Sequence, residues 1–326
     1  MNTEVVRAWI IDRGLLTSGS VTVRAFDGGV SCEVFAASDG RGSIVVKHAQ
    51  PELRVAATWV ADPRRVVHEG EVLRTLSSMT PSAVPRLLAI DADRHMIAIS
   101  HAPAAWSPWD RQLLAGHAET RVASTLGETL GTWHRQSWAA ARFQALDDYE
   151  LFEALRLDPY FGAMAAEHPR YEDPLTEVVA RLRDRRLCLV HGDFSPKNVM
   201  VGDDGVWVLD FEVAHIGDPQ FDLGFLLTHL LLKAINRPEA TTDYRRCSVT
   251  FTRSYSASAP DAGEVDGPEL CRLIGALLLA RIYGKSPVNY LDADGRARTV
   301  LLAEPLLAGE FSRLSRAWDL LEGMRS

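Results

Sequence analysis

Apolar and polar residues alternate in short runs along the first hundred residues, which is the pattern of half-buried β-strands. Turn residues such as Ser38-Asp39-Gly40-Arg41-Gly42 separate these runs. We predict three antiparallel strands in the first part of this segment and two more strands further on. The predicted strands cover Val21–Phe26, Cys32–Ala36, Ile44–Lys47, Val84–Ile90 and His95–Ser100.

A helical pattern lies between these two groups of strands. Asp62-Pro63 opens a stretch in which apolar residues recur at roughly helical spacing as far as Ser78. The character of the chain changes again near residue 103, because the segment 101–108 is rich in proline and small residues. We interpret this segment as the connection between two domains, 1–102 and 103–326.

The second predicted domain is mainly helical. Helical patterns cover Leu113–Arg135, Tyr149–Glu167 and Pro174–Arg183. A hairpin of two short strands interrupts the helical pattern between Asp193 and Asp210. The sequence therefore predicts an α+β fold, in which an antiparallel sheet with one main helix precedes a helical domain that carries a hairpin.

The overall charge of the chain is acidic. The formal net charge of −8 argues against a general nucleic-acid binder, because such proteins neutralise phosphates with clustered basic side chains. The longest apolar stretch, Phe225–Leu232, is far too short to cross a bilayer. The first sixteen residues lack the uninterrupted apolar core of a signal peptide. We expect a cytoplasmic protein, monomer or homodimer, with neither nucleic acid nor membrane as a partner.

The most informative polar residues lie around the predicted hairpin. Asp193 follows the apolar run Leu187–Val190, Asn198 comes five positions later, and Asp210 comes seventeen positions after Asp193. Asn198 opens the first strand of the hairpin, and the turn Gly202–Gly205 returns the chain to Asp210. A hairpin of this length is expected to bring Asn198 and Asp210 to the same end.

Two carboxylates and an amide in this order are typical of phosphoryl transfer. The reaction needs a metal-bound triphosphate held still and a substrate hydroxyl aimed in line at it. Mg²⁺ prefers one or two protein carboxylates, with phosphate oxygens and waters completing its shell. We assign Asp193 as the catalytic base or hydroxyl-orienting group, and Asn198 and Asp210 as metal ligands.

The motif His191-Gly192-Asp193 through Asn198 resembles the H-G-D-x-x-x-x-N motif of the aminoglycoside phosphotransferase and choline kinase superfamily, in its small-molecule kinase branch. Asp210-Phe211-Glu212 resembles the metal-binding segment of the same superfamily. The resemblance implies a protein-kinase-like fold of two lobes. It also implies ATP as the phosphoryl donor, with GTP as the alternative, and Mg²⁺ as the metal.

The resemblance assigns roles to residues outside this motif as well. Lys47 matches the lysine that contacts the α and β phosphates, and Glu69 matches the glutamate that pairs with it. Glu71, two positions on, is the alternative to Glu69. By analogy Asp222 holds the backbone of the catalytic loop, and His191 supports that loop.

Further contacts with the nucleotide and the metal are expected. Glu212 stands where protein kinases have glycine, which adds a carboxylate on the metal side. Lys197 is a second candidate catalytic residue, because its charge could neutralise the transferring phosphoryl group. The residues expected to contact the nucleotide are Gly28, Gly29, Ser31, Ser100 and Ala102.

We predict an ATP- and Mg²⁺-dependent O-phosphotransferase that acts on a hydroxyl of a small molecule. The first acceptor class is an antibiotic, either an aminoglycoside or another kind such as a nucleoside antibiotic. The acidic residues that could bind amino groups are Asp147, Asp148, Glu150, Asp158, Asp218 and Glu304.

Two alternatives to an antibiotic kinase stay open. The first is a sugar-type metabolite kinase that resembles methylthioribose kinase, in which Arg281 and Lys285 would meet the acceptor. The second, from another class, is a catalytically inactive regulatory protein that binds nucleotide.

Overall fold

A computed structural model describes residues 1–17, 21–26, 32–50, 61–260 and 267–324. The chain forms two compact units. The first unit comprises residues 1–106 together with 207–213, and the second comprises 107–206 and 214–326. The domain limits predicted from the sequence, 1–102 and 103–326, stay a prediction.

The first unit is built on a five-stranded antiparallel sheet. The order of its strands is β1-β2-β3-β5-β4, so that β3 lies in the middle. Two helices among the described residues of this unit accompany the sheet. The elements are α1 (Thr3–Asp12), β1 (Thr22–Ala25), β2 (Cys32–Ser38), β3 (Ser43–Ala49), α2 (Arg65–Met79), β4 (Leu87–Asp91) and β5 (Met96–Ser100).

The two faces of this sheet have different partners. Alternate residues of β2, β3 and β5 pack with Val6, Trp9 and Ile10 of α1 in one buried apolar cluster. Because side chains alternate between the faces of a strand, the residues next to Val46 point to the opposite face. That face carries Lys47 and meets α2, where a Cβ on Gly70 would lie 3.2 Å from Ile97.

The second unit is mainly helical. Its strands form two small sheets, one of order β10-β7 and one of order β6-β8-β9, of which Gly205 and Val206 of β9 belong to this unit. The elements are β6 (Ser107–Pro108), α3 (Trp109–Leu114), α4 (Thr120–Ser137), α5 (Tyr149–Phe152), α6 (Ala163–Glu167), α7 (Glu172–Asp184), β7 (Cys188–Val190), β8 (Val199–Gly202), β9 (Gly205–Val208), β10 (His215–Gly217), α8 (Gln220–Asn236), α9 (Thr241–Ser258), α10 (Pro268–Tyr283), α11 (Ala293–Leu307) and α12 (Leu314–Gly323).

Two of these helices form the centre of the second unit. Nearly every residue of α8 and most residues of α10 are buried, so that each helix is covered on all sides. This burial agrees with their composition, because a helix that is apolar all round belongs in the interior. The buried polar exceptions in α8 are Asp222, Thr228, His229 and Lys233.

Three features of the fold differ from the sequence-based expectations. Helix α1 was not predicted. The helix expected over Leu113–Arg135 is two helices, α3 and α4, and Gly116 between them has a φ of +88° that no helix accommodates. The helix expected over Tyr149–Glu167 is π-helical over Glu153–Gly162, where Pro159 provides no backbone N–H for the regular ladder.

The prediction of an α+β fold is confirmed. An antiparallel sheet dominates the first unit and helices dominate the second. In the described part of the chain, no helix has both the length and the apolar character that crossing a membrane would require.

Candidate active site

Lys47 is the centre of a buried charge cluster in the first unit. Its Nζ donates to both carboxylate oxygens of Glu69, at 2.7 and 2.8 Å, and to Oδ1 of Asp210 at 2.8 Å. Lys47 is 9% exposed and Glu69 is 1% exposed. The structure therefore brings together three of the residues that the sequence analysis selected, and Glu69 is the glutamate of α2 that meets Lys47.

The charges of this cluster depend on one another. Burial by itself would lower the pKa of Lys47, but Asp210 and Glu69 more than offset this and hold the pKa well above its ordinary value. Burial raises the pKa of Glu69, and the neighbouring Asp210 carboxylate acts in the same direction. Lys47 is therefore a fixed cation, suited to contact phosphate oxygens.

The segment Asp210-Phe211-Glu212 has an unusual backbone. Asp210 has a φ of +72°, in the left-handed region that residues other than glycine rarely adopt. Phe211 is fully buried, and Glu212 is 5% exposed. The Nε of Arg65 lies 3.3 Å from Oε2 of Glu212. Asp210 and Glu212 thus each meet one buried cation.

A cavity of about 600 Å³ opens on the sheet face that carries Lys47. Its volume is within the range of small-molecule and cofactor sites. Cross-strand pairing places Thr22, Ser38 and Ser43 in one row of this face. The cavity is lined by Thr22, Val23, Arg24, Ala36, Ala37, Ser38, Ser43, His101, Ala102, Pro103, Ala104 and Trp207.

The residues expected to contact the nucleotide fall into three groups. Ala102 lines this cavity. Among the described lining residues Ser100 does not occur, and its N–H and Oγ bond instead to the backbone of Arg86. Gly28, Gly29 and Ser31 lie outside the described residues. The roles of all five in nucleotide binding stay predictions.

Asp193 is the centre of a second buried cluster, in the second unit. It is 3% exposed. Its Oδ2 lies 2.9 Å from Nη2 of Arg156 and 3.1 Å from Nζ of Lys197. The Nδ2 of Asn198 donates to the same Oδ2 at 2.9 Å and to the carbonyl oxygen of Asp193 at 3.0 Å. The spacing of five residues thus brings the Asn198 side chain to Asp193, and Lys197 also lies beside Asp193, while its catalytic role stays a prediction.

The loop that carries Asp193 is held from below by Asp222. Oδ2 of Asp222 accepts the N–H of His191 at 2.6 Å, and Oδ1 accepts the N–H of Gly192 at 2.9 Å. The Nδ1 of His191 accepts the N–H of Asp193 at 3.1 Å. This arrangement agrees with the supporting roles that the resemblance implies for His191 and Asp222.

The donor chemistry of the predicted metal ligands fits Mg²⁺. The two hydrogen bonds of Asn198 use its amide nitrogen, so its amide oxygen is the atom that a cation could bind. Asp210 contributes a carboxylate. Oxygen ligands of this kind are those that Mg²⁺ prefers.

Four of the six acidic residues expected as amino-group contacts are engaged within the protein, three of them with arginines. Asp147 pairs with Arg186, and Asp218 lies 2.9 Å from Arg185. Glu304 lies 3.2 Å from Arg170, and Asp148 caps α5 by accepting the N–H of Leu151. Asp147, Asp218 and Glu304 thus neutralise arginines within the protein.

Sequence reasoning missed two arginines that contact these clusters, Arg156 and Arg65. No sequence motif marks Arg156. It lies in the π-helical stretch Glu153–Gly162, and only the fold brings its side chain to Asp193. Arg65 carries a weak signal, because it precedes Glu69 by four residues and the two side chains share a helix face.

Residues 22–246 match the family model described as the APH phosphotransferase enzyme family. A methylthioribose kinase of Geobacillus sp. strain WCH70 is 28% identical over 225 residues, which are 60% of this chain and 56% of that protein. The alignment thus spans little more than half of the length of this curated relative.

Two solved structures show the similarity of the fold. A putative aminoglycoside phosphotransferase of Ralstonia eutropha JMP134 has a TM-score of 0.60 at 15% identity and covers 99% of this chain and 98% of its own. Choline kinase LicA of Streptococcus pneumoniae has a TM-score of 0.55 at 14% identity, with coverage of 94% and 98%. At this level of identity the two structures bear on the fold alone.

Proposed function

Because the chain belongs to the APH phosphotransferase enzyme family, we propose that it transfers the γ-phosphoryl group of ATP to a hydroxyl of a small molecule. The observation that carries this proposal is Lys47, a buried cation held by Glu69 and Asp210 on the sheet face that also bears the cavity. A fixed lysine beside a carboxylate is the arrangement that kinases use to hold phosphates next to a metal ion.

The cavity is proposed to take the base and ribose of the nucleotide. Ser43 lines the cavity, and Lys47 follows it by four residues on the same face of β3. This spacing corresponds to about 13 Å along a strand, a separation that suits a base at one end and phosphates at the other. GTP stays the alternative donor, since the lining residues named here do not discriminate between the two bases.

Asp210 and Asn198 are proposed as the ligands of Mg²⁺, which when bound would neutralise charge on the phosphates. Asp193 is proposed to orient the acceptor hydroxyl and to accept its proton. Lys197, which lies beside Asp193 and is largely exposed, is proposed to meet the charge of the phosphoryl group in transfer.

The charges in the second unit favour an acceptor without several positive charges. Arg156 and Lys197 both lie on Asp193. Arg281 contacts the hydroxyls of Tyr160 and Ser286, at 3.2 and 3.1 Å, and has no carboxylate within ion-pair distance among the described residues. Arg156 and Lys197 already occupy the Asp193 carboxylate, and an amino group placed beside Arg281 would be repelled by its charge.

A sugar-type metabolite is therefore the acceptor class that we favour over an aminoglycoside. Four of the six acidic residues that could have bound amino groups, Asp147, Asp148, Asp218 and Glu304, are engaged with arginines or a helix end, which supports this choice. The curated relatives include methylthioribose kinases at 24–28% identity. Among antibiotics, a neutral one such as a nucleoside antibiotic stays compatible with the same charges.

An acceptor screen that measures ADP release tests this proposal. The panel comprises aminoglycosides, nucleoside antibiotics, methylthioribose, choline and simple sugars, each with ATP and Mg²⁺. We expect turnover with a neutral hydroxylated acceptor and a loss of about 10²–10⁴-fold in kcat for Asp193→Asn. Asp203→Asn is the matched control, because Asp203 is an exposed carboxylate of the adjoining turn.

Three outcomes of the screen would count against the proposal. Full activity of Asp193→Asn would remove the catalytic assignment. Turnover confined to polycationic aminoglycosides would overturn the acceptor class. Tight nucleotide binding without turnover of any acceptor would favour the inactive regulatory protein instead.

A further inference from the structure

A second buried ion pair lies one helical turn from the pair of Lys47 and Glu69. Arg65 is the first residue of α2 and is fully buried, and its Nε lies 3.3 Å from Oε2 of Glu212. Glu69 follows Arg65 by four residues, so both side chains leave the same face of α2. This face thus presents the guanidinium of Arg65 to Glu212 and the carboxylate of Glu69 to Lys47.

The position of Arg65 is unfavourable on its own. A cation in the first turn of a helix opposes the helix macrodipole, and a buried charge is costly unless it is paired and hydrogen-bonded. Three backbone carbonyls meet part of this cost. Nη1 donates to the oxygens of Ala61 and Asp62, both at 3.0 Å, and Nη2 donates to the oxygen of Gln50 at 2.8 Å. These bonds fix the guanidinium with its Nε beside Glu212.

Glu212 in turn fixes the backbone on its own side. Its Oε2 also accepts from the Cys32 thiol at 3.9 Å. Two residues earlier, Asp210 has the left-handed φ of +72° and meets Lys47. Such a conformation persists only where the surroundings over-determine it. The ion pairs Lys47–Asp210 and Arg65–Glu212 hold the segment on either side of the buried Phe211. Arg65 belongs to α2, and Lys47 is paired with Glu69 of the same helix.

We propose that Arg65 is a positioning residue for phosphoryl transfer. It holds Glu212 and, through the short Asp210-Phe211-Glu212 segment, keeps the Asp210 carboxylate in the orientation that metal binding requires. The catalytic part of this proposal rests on the proposed function. Glu212 is accordingly assigned to the ion pair with Arg65 and not to the metal shell that the sequence analysis gave it.

A double-mutant cycle without nucleotide or metal tests the ion pair. Arg65→Met and Glu212→Gln are each expected to lower the midpoint of urea unfolding, because each leaves a buried charge without its partner. The double variant is expected to fall no further than the worse single variant, since it leaves no uncompensated charge. Arg74→Met is the matched control on α2, because Arg74 pairs with Glu71 at the exposed surface.

The catalytic part is tested by titrating Mg²⁺ into mixtures of protein and ADP and measuring nucleotide affinity. Arg65→Met and Glu212→Gln are expected to weaken Mg²⁺-dependent binding by a similar factor, about 10–100-fold, as for other residues that orient metal ligands. If Glu212 binds the metal directly, Glu212→Gln alone will have this effect, and the proposal is then wrong.

Two further outcomes would overturn the proposal. The first is strict additivity of the two changes in unfolding, and the second is behaviour of Arg65→Met that matches Arg74→Met. Arg65→Gln, which removes the charge, keeps the decision open should Arg65→Met not fold. Glu212→Gln is expected to cost less in the Arg65→Gln background than in the wild type, and equal costs would contradict the ion pair. A wild-type protein that binds no nucleotide would contradict the proposed function, while the unfolding cycle would still decide the coupling of Arg65 with Glu212.

Discussion

Single residues with unusual environments mark the site. Asp222 is a fully buried carboxylate that accepts hydrogen bonds from two consecutive backbone N–H groups and lies 3.3 Å from Nε2 of His134. Gly192, one of the two residues it holds, has a φ of +77°, which favours glycine. Asp222 thus fixes the loop from which Asp193 extends.

The charge of Asp222 makes stability depend on pH. Burial alone would raise its pKa, but the hydrogen bonds and charges of His134 and His191 hold the pKa below its ordinary 3.8. A lowered pKa means that the stabilisation is complete above pH 3.8 and is lost as the pH falls through the folded-state pKa. We expect Asp222→Asn to lower the free energy of unfolding at pH 6 by about 1–3 kcal/mol.

The difference in the free energy of unfolding between Asp222→Asn and the wild type, here called the gap, should narrow as the pH falls below 3.8. Urea unfolding between pH 6 and pH 3 measures this gap. Asp203→Asn, at an exposed carboxylate, should follow the wild type throughout. A gap of constant size over the whole range would show that Asp222 does not carry its charge in the folded protein.

The sequence predicted those site residues whose contacts depend on spacing within one segment. Asp193 and Asn198 are five residues apart, and their contact needs only the local turn around Pro196–Asn198. Arg156 was not predicted, because a buried arginine is recognisable only when its carboxylate is known. Arg65 offers only the weak signal of its four-residue spacing to Glu69, because its partner Glu212 lies far along the chain.

Helices α4 and α9 show how packing of whole elements supports the site. Gly127 and Gly131 lie one turn apart on α4 and face the backbone of α9. A Cβ on Gly131 would lie 2.9 Å from the carbonyl oxygen of Tyr255, and one on Gly127 would lie 2.9 Å from the backbone nitrogen of the same residue. This close approach places His134, further along α4, against the hydroxyl of Tyr255 at 2.9 Å and beside Asp222.

Gly127→Ala is expected to destabilise the protein although alanine is the better helix former by about 1 kcal/mol. The new methyl group would meet backbone atoms of Phe251 and Tyr255, which cannot turn away as a side chain could. Overpacking of this kind typically costs about 1–3 kcal/mol. Gly323→Ala, where a Cβ would meet no described atom within 4 Å, is the control. A stabilised Gly127→Ala protein in urea unfolding would contradict the close packing.

Element boundaries were predictable where the hydrophobic pattern was uninterrupted. The strands β2 and β3 follow their alternating residues closely, and α2 extends one residue beyond the predicted end. Helix α1 was not predicted, although Val6, Trp9 and Ile10 have the i, i+3, i+4 spacing of one helix face and that face packs on the sheet. The π-helical stretch was not predictable, because its i to i+5 bonding leaves no periodicity of its own in the sequence.

Which residues belong to the first unit depends on the fold of the whole chain. Residues 207–213 join it although they follow residue 106 by about a hundred positions. The bond from Lys47 to Asp210 spans 163 residues, and Trp207 packs against Trp106 with ring centroids 5.4 Å apart. A linear division of the sequence cannot reveal such a segment, since only contacts made after folding assign it to the sheet.

Residues 1–106 expressed alone are therefore expected to lack a cooperative thermal transition. Without residues 207–213, Arg65 loses Glu212 and Lys47 loses Asp210, and breaking a buried pair costs about 3–5 kcal/mol. This is a large fraction of the roughly 5–15 kcal/mol that stabilises a domain. Joining 207–213 to the fragment through a flexible linker should restore part of the transition, as followed by circular dichroism.

The same fusion with Asp210→Asn and Glu212→Gln separates charge from the rest of the segment. We expect it to melt below the unaltered fusion, because Lys47 and Arg65 stay without carboxylate partners on this segment while Phe211 and Trp207 can still pack. Cooperative melting of residues 1–106 alone at the temperature of the unaltered fusion would show that the sheet needs neither ion pair. In that case the segment 207–213 would contribute nothing to the stability of the first unit.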